Sequence, residues 1–180
     1  MTRDEVLNLL RRGKAKELLA RRLAGEELPA DCSHFDLADT DLYGASLEEI
    51  DFYRSNLDRA DCRKARLKGT NLFGASLIEC KLSSASLSSA ILDTADLRKA
   101  KLEGALLTGA RLRRANLQGA DLRRTKCQGT DFRAADLTGT LLEGADLSGA
   151  DLRGASVDSQ ELAKATTTGA KLPINNLFLQ

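Results

Sequence analysis

Leucine recurs at every fifth residue along most of this chain, as in DLRKAKLEGALLTGARLRRANLQGADLRR between Asp96 and Arg124. A helix returns to one face every 3.6 residues and a strand every two. Five fits neither. On a helix each step of five turns by about 140°, which scatters the leucines around the cylinder. On a flat strand an odd step flips them between faces. The chain needs another geometry to collect them.

The register defines that geometry. Of the 25 positions numbered 5n+2 from Leu37 to Val157, 20 are Leu, and the rest are Phe52, Cys62, Cys127, Phe132 and Val157. Two residues earlier, at the 24 positions 5n from Thr40 to Ala155, 16 are Ala and five are Thr. A small and a large residue spaced by two lie on the same side of a short extended segment. All 12 glycines beyond Gly25 stand at 5n+4, two after the large residue, where the chain must turn a corner. The reading is an all-β solenoid. Each short side points a small and a large residue inward, several sides close one coil, and coils stack at about 4.8 Å. A column this narrow suits a chain with 4% aromatic residues and no Trp.

The units ADLRK (95–99), ANLQG (115–119), ADLRR (120–124), ADLSG (145–149) and ADLRG (150–154) carry a specific likeness. The chain resembles the pentapeptide repeat family, whose unit is A(D/N)LXX. That resemblance covers about two-thirds of the sequence, from residue 35 to residue 157. It implies a right-handed quadrilateral parallel β-helix with 20 residues per coil. The 25 units then make about six coils, a column roughly 30 Å long.

Both ends depart from the repeat. Residues 1–30 form an expected N-terminal α-helical cap. Val6, Leu7, Leu10, Leu18, Leu19 and Leu23 have helical spacing, broken at Gly13 and Gly25. Two short helices would cover the first coil, with Phe35 plugging it; a partner-binding helix is the other reading of this stretch. The β-helix is expected over 31–157 and a C-terminal cap over 158–180. There the register is read as slipping, because Gln160 replaces a small residue and Thr167 a large one. Residues 158–166 read as a short helix with an Asp158/Glu161 capping box. The tail leaves Ile174, Leu177, Phe178 and Leu179 without a repeat position. They either fold over the last coil or make a homodimer contact.

Chemistry of the catalytic kind has little to work with. The one histidine, His34, precedes the resemblance, and no Ser-His-Asp or Cys-His set can be built around it. DTDLYG (39–44) puts Tyr43 where a calcium ligand would stand, and the repeat already accounts for its aspartates. Cys62, Cys80 and Cys127 fall on inward positions, while Cys32 is read as outside the repeat. The expectation is no enzyme, no catalytic or metal site and no cofactor. With no apolar run approaching about 18 residues and no apolar secretion signal at the N-terminus, the chain is expected to be cytoplasmic.

Charge is more informative. The formal net charge is only +1, but it is banded. Residues 31–51 hold seven acids and no base; 98–133 hold ten bases and three acids; 136–161 hold six acids and Arg153. Taken every 20 residues, the position after the large inward residue reads Tyr53, Phe73, Asp93, Arg113, Arg133, Arg153. If the coils stack, these lie on one side. Tyr53, Phe73, Arg113, Arg133 and Arg153 then form either a candidate protein-binding strip or a surface ladder neutralised by Asp131 and Asp151. The expected function is a non-enzymatic interaction module, a rigid rod presenting flat faces to a protein partner. The alternative comes from the family's quinolone-resistance branch, whose members imitate DNA and bind topoisomerase (gyrase). Mimicry needs a strongly anionic surface, whereas residues 31–157 carry 19 acids and 18 bases. Nucleic-acid binding by the basic belt is disfavoured by the acidic bands beside it.

Overall fold

The computed structural model describes residues 1–14, 17, 20, 21, 23–27, 29 and 31–173. Its organising element is a ladder of parallel bridges joining residues at 5n+1 to those 20 further on, from Asp31–Asp51 to Asp151–Lys171, passing over Leu141 and Glu161. A five-residue side and a 20-residue repeat give four sides per coil. Most rungs are single bridges. The two-residue strands β1 (Asp136–Leu137) and β2 (Ser156–Val157) are the one place where a rung widens among the described residues.

The period of five follows from where the backbone N–H groups go. In the unit 71–75, Asn71 N donates to Ile50 O of the previous coil (3.0 Å). Leu72 N donates to Ile91 O (2.7 Å) and Gly74 N to Asp93 O (3.0 Å), both in the next coil. Ala75 N closes a turn on Leu72 O (3.1 Å). Phe73 N donates to the Asn71 side chain (Oδ1, 3.2 Å). All five donors are satisfied, which is why Asp or Asn so often opens the unit: its side chain bonds the backbone two residues on. The corner at 5n+4 has positive φ, as position i+2 of a type II turn requires. Glycine suits it, but the coil imposes it on Asp39, Lys99 and Ala134 as well, with φ between 57° and 58°.

The interior is the two inward columns. The large residues from Leu37 to Leu152 and the alanines between them are almost wholly buried, with Phe52 and Phe132 at leucine sites fully so. Thr hydroxyls at small sites turn back on the chain: Thr130 Oγ1 donates to Leu107 O (2.7 Å) and Thr140 Oγ1 to Leu137 O (2.6 Å). Buried polar atoms are thus partnered without widening the column. Cys62, Cys80 and Cys127 are buried and free.

The ends differ from the sequence reading in four ways. Cys32 belongs to the repeat: it is buried, Cys32 N donates to Asp51 O (2.9 Å), and the ladder already runs at Asp31. Helix α1 (Arg3–Arg11) has a capping box between Thr2 and Glu5 and buries Val6, Leu9 and Leu10. It is tied to the first coil by Arg11 Nε donating to Asp36 O (2.9 Å) and by Arg3, whose guanidinium lies 4.8 Å over the Phe35 ring. Leu23, expected on an inward face, is 80% exposed. It sits three residues after Ala20, also exposed, so helical geometry puts both on the solvent side. Leu18 and Leu19 lie outside the described residues, as do Ile174, Leu177, Phe178 and Leu179.

At the other end the register does not slip. Helix α2 (Ser159–Leu162) fits within the coil length, and the ladder resumes in phase at Asp146–Thr166 and Asp151–Lys171. Its Asp158 cap accepts from Gln160 N and Glu161 N. Glu161 does not complete the expected box. Its carboxylate instead accepts from Leu142 N (3.2 Å) in the coil before and from Lys164 Nζ (2.5 Å), which pins the helix to the column.

Candidate functional site

Stacked coils bring Tyr53, Phe73, Asp93, Arg113, Arg133 and Arg153 to equivalent positions on one side. Its two halves behave differently. Tyr53 and Phe73 stack, with ring centroids 5.7 Å apart and planes 17° from parallel. His34 meets Tyr53 edge-on (5.6 Å), and the Arg54 guanidinium lies 5.2 Å over the same ring. This is a continuous, partly exposed aromatic surface.

Asp93 interrupts the strip for a structural reason. Its coil opens on Ile91 and the next on Arg111, so Arg113 N has no Asp or Asn two residues before it. Asp93 reaches across from the preceding coil: Arg113 N donates to Asp93 Oδ1 (3.0 Å), and the Arg111 guanidinium bonds its other oxygen. Asp93 is 5% exposed. Asp58 does the same for Ile78 N (2.9 Å), where Ser76 opens the unit.

Beyond Asp93 the arginines are held by the aspartate ladder. Arg133 grips Asp131 through Nε (2.9 Å) and Nη2 (2.8 Å), while Arg113 Nε donates to the same carboxylate (2.6 Å). Arg153 grips Asp151 in the same forked way (2.9 and 2.6 Å). Arg133 is the chief cause that holds the Asp131 carboxyl far below the usual carboxylate range, helped by Arg113 and opposed by burial. The fork is not peculiar to this side; Asp61–Arg63, Asp96–Arg98 and Asp121–Arg123 repeat it elsewhere. Pairing leaves the arginines partly open, with side-chain exposures of 43% for Arg113, 40% for Arg133 and 56% for Arg153.

Next to this ladder the surface dips. A depression of about 430 Å³ is lined by Phe73, Asp93, Thr94, Arg113, Arg114 and Arg133, with Ala134 beside them. Arg114 is the residue the sequence reading missed. It stands at a corner position, and among the described residues its guanidinium makes no hydrogen bond or ion pair. Its equivalents in neighbouring coils, Gly74, Thr94 and Ala134, are small and leave room around it.

The aspartates of residues 39–44 are engaged internally. Asp39 pairs with Arg59 (2.6 Å), and Asp41 accepts from Tyr43 N (3.0 Å). Burial pushes the Cys127 thiol up to about 12 and the Cys32 thiol to about 11, and a hydrogen bond with Cys62, together with burial, holds the Cys80 thiol well above its ordinary value. Such thiols are poor nucleophiles. Among the described residues no group of three or more His, Cys, Asp or Glu could hold a metal ion, and no helix is long and apolar enough to cross a membrane.

The family profile of pentapeptide repeats matches eight copies, over residues 36–74, 70–109, 90–126, 100–139 and 125–159. The chain belongs to the pentapeptide repeat family. No curated protein matches it. Among solved structures it is similar to trypsin-treated QnrB1, a plasmid-mediated fluoroquinolone resistance protein. That likeness has a TM-score of 0.69 at 20% identity, covering 79% of this chain and 74% of QnrB1. It is also similar to the pentapeptide repeat protein Rfr23 from the cyanobacterium Cyanothece 51142. There the TM-score is 0.50 at 24% identity, covering 88% of this chain and 97% of Rfr23. At these identities the likeness is one of fold, the right-handed quadrilateral β-helix of pentapeptide repeat proteins.

Proposed function

We propose that this pentapeptide repeat protein is a non-enzymatic interaction module, a rigid column of about six coils over residues 31–157 that presents one side to a protein partner. Helix α1 closes the end at the first coil in this reading. The observation that carries it is the Tyr53–Phe73 stack lying in line with partly exposed arginines on a single side. Aromatic rings and guanidinium groups dominate binding energy at protein interfaces. A backbone whose corner N–H groups from His34 to Gly149 are, all but Gly139, bonded to the next coil loses little freedom on docking. Four buried free thiols suit a reducing compartment, and we place the protein in the cytoplasm.

The test is co-purification from the native host with the wild type and with Tyr53→Ala/Arg133→Gln. Asp131 keeps Arg113 and a backbone N–H in that variant, so it should melt close to the wild type while losing the wild type's partner. Retention of the same partner by a folded variant would refute the reading.

A second reading is favoured by the fold likeness to QnrB1: protection of a topoisomerase by imitating DNA. The near-neutral column, with its arginine belt at 98–133, argues against it. Purified protein should neither inhibit gyrase supercoiling nor relieve its inhibition by a quinolone. Clear activity at stoichiometric concentration would reverse the order of the two readings.

A further inference from the structure

We infer that the Arg113–Arg114–Arg133 depression is the anchor for an acidic, extended segment of the partner protein, with Arg114 as the principal anchoring residue. This rests on the interaction reading above and specifies what the side binds.

Charge accounting supplies the sign. Around the depression stand five guanidinium groups, of Arg111, Arg113, Arg114, Arg133 and Arg153, against three carboxylates, of Asp93, Asp131 and Asp151, the last held by Arg153 and 3.9 Å from Arg133. The local excess is two positive charges. Asp93 is spent on Arg113 N and Arg111, and Asp131 on Arg133 and Arg113. Arg114 has no partner among the described residues, so its fork is available for bidentate contact with a carboxylate. Arg113 donates to Asp131 through Nε and keeps terminal nitrogens to share.

The shape and surroundings say what carries the acid. From Tyr53 to Arg133 is four coil steps, about 19 Å, which about six extended residues span. A segment along the axis can therefore set an apolar side chain on the Tyr53–Phe73 stack and acidic ones in the depression. A nucleic acid cannot. The basic belt covers fewer than two coils, about 9 Å of axis; the acidic band at 136–161 follows it directly, residues 52–97 before it carry seven bases and five acids, and the acidic band at 31–51 lies beyond them. A long polyanion would overrun the belt onto the like-charged band at 136–161, which lies within a Debye length of it. A short acidic stretch fits within the belt.

The experiment uses the full chain, isotope-labelled, titrated by NMR with synthetic nine-residue peptides. Each carries a Phe-Leu pair at one end and three glutamates at the other, made in both orders, with lysine-for-glutamate counterparts. A glutamate peptide should shift the amides of Phe73, Arg113, Arg114 and Arg133, and lose about tenfold or more in affinity as salt rises from about 50 to about 500 mM. Arg114→Glu should weaken it about tenfold or more, with melting unchanged because the wild-type side chain is unpartnered. Equal binding of lysine peptides, shifts elsewhere, an unaffected Arg114→Glu, or no binding of either glutamate peptide would each overturn the inference. Inorganic phosphate is titrated in parallel; saturation at Arg114 by phosphate without peptide binding would assign a free-anion site and also overturn it. If the peptides fail while Tyr53→Ala/Arg133→Gln still loses its partner, the interaction reading stands and only the acidic segment falls.

Discussion

Asp93→Ala tests whether carboxylates at the third position of a unit substitute for a missing Asp or Asn in the next coil. The side chain is almost fully buried and accepts two bonds, one from Arg113 N and one from the Arg111 guanidinium. A hydrogen bond to a charged acceptor contributes about 1.5–3 kcal/mol, and part of this is returned because a buried carboxylate is no longer desolvated. The expected cost is about 2 kcal/mol, a fall of about 6 °C in Tm for a chain of this length. The same substitution with Arg111→Asn should recover about half of it, because Asn at that position serves the N–H of its own unit, as Asn71 serves Phe73. Denaturant melts give the energies, and hydrogen exchange at Arg113 N reports the bond itself. A double variant no more stable than Asp93→Ala, or an Asp93→Ala protein with wild-type stability and unchanged exchange at Arg113, would refute the substitution rule.

Three further expectations follow from the column. Leu97→Lys should abolish cooperative folding, since it puts an unpaired charge at a fully buried site; circular dichroism melting near the wild-type temperature would show otherwise. Gly129→Ala meets no atom within 4 Å, so its cost is the backbone strain of φ +64° alone, about 1 kcal/mol by denaturant melting. Asp61, Asp121, Asp131 and Asp151 are each held below the usual aspartate value by the arginine two residues on. Their folded pKa values lie under the unfolded ones, so this stability is fully present above the ordinary value near 3.8 and is lost as pH falls through the depressed folded values. A pH series of melts should fall on that acid limb, and Asp131→Asn should make the limb shallower.

Much of the fold was legible because one backbone device repeats: small and large residues point in, Asp or Asn opens the unit, and glycine marks the corner. Legibility failed where backbone pairing continued under unlike side chains. Cys32 fills an inward site without resembling the unit, so it looked like a flank. Gln160 and Thr167 looked like a slip, although the bridges at Thr166 and Lys171 keep phase, because main-chain bonding is indifferent to which side chain it carries. The candidate side was legible as a 20-residue column, Tyr53 to Arg153. Asp93 could have been recognised as structural from Ile91 and Arg111, the two openings that lack a side-chain acceptor. Arg114 was hidden by its corner position. The signal was present in the small residues around it, Gly74, Thr94 and Ala134.

The ladder that joins residues to those 20 further on separates what the core tolerates from what the surface tolerates. Removing one five-residue unit between Phe73 and Arg113 would leave every inward residue inward. It would also turn everything beyond the cut by one side of the square, carrying Arg113, Arg114 and Arg133 around the corner from Tyr53 and Phe73. Removing 20 residues would shorten the rod by one storey and keep the two groups facing the same way. Length changes in this chain are therefore quantised twice, in fives for folding and in twenties for any surface that spans coils.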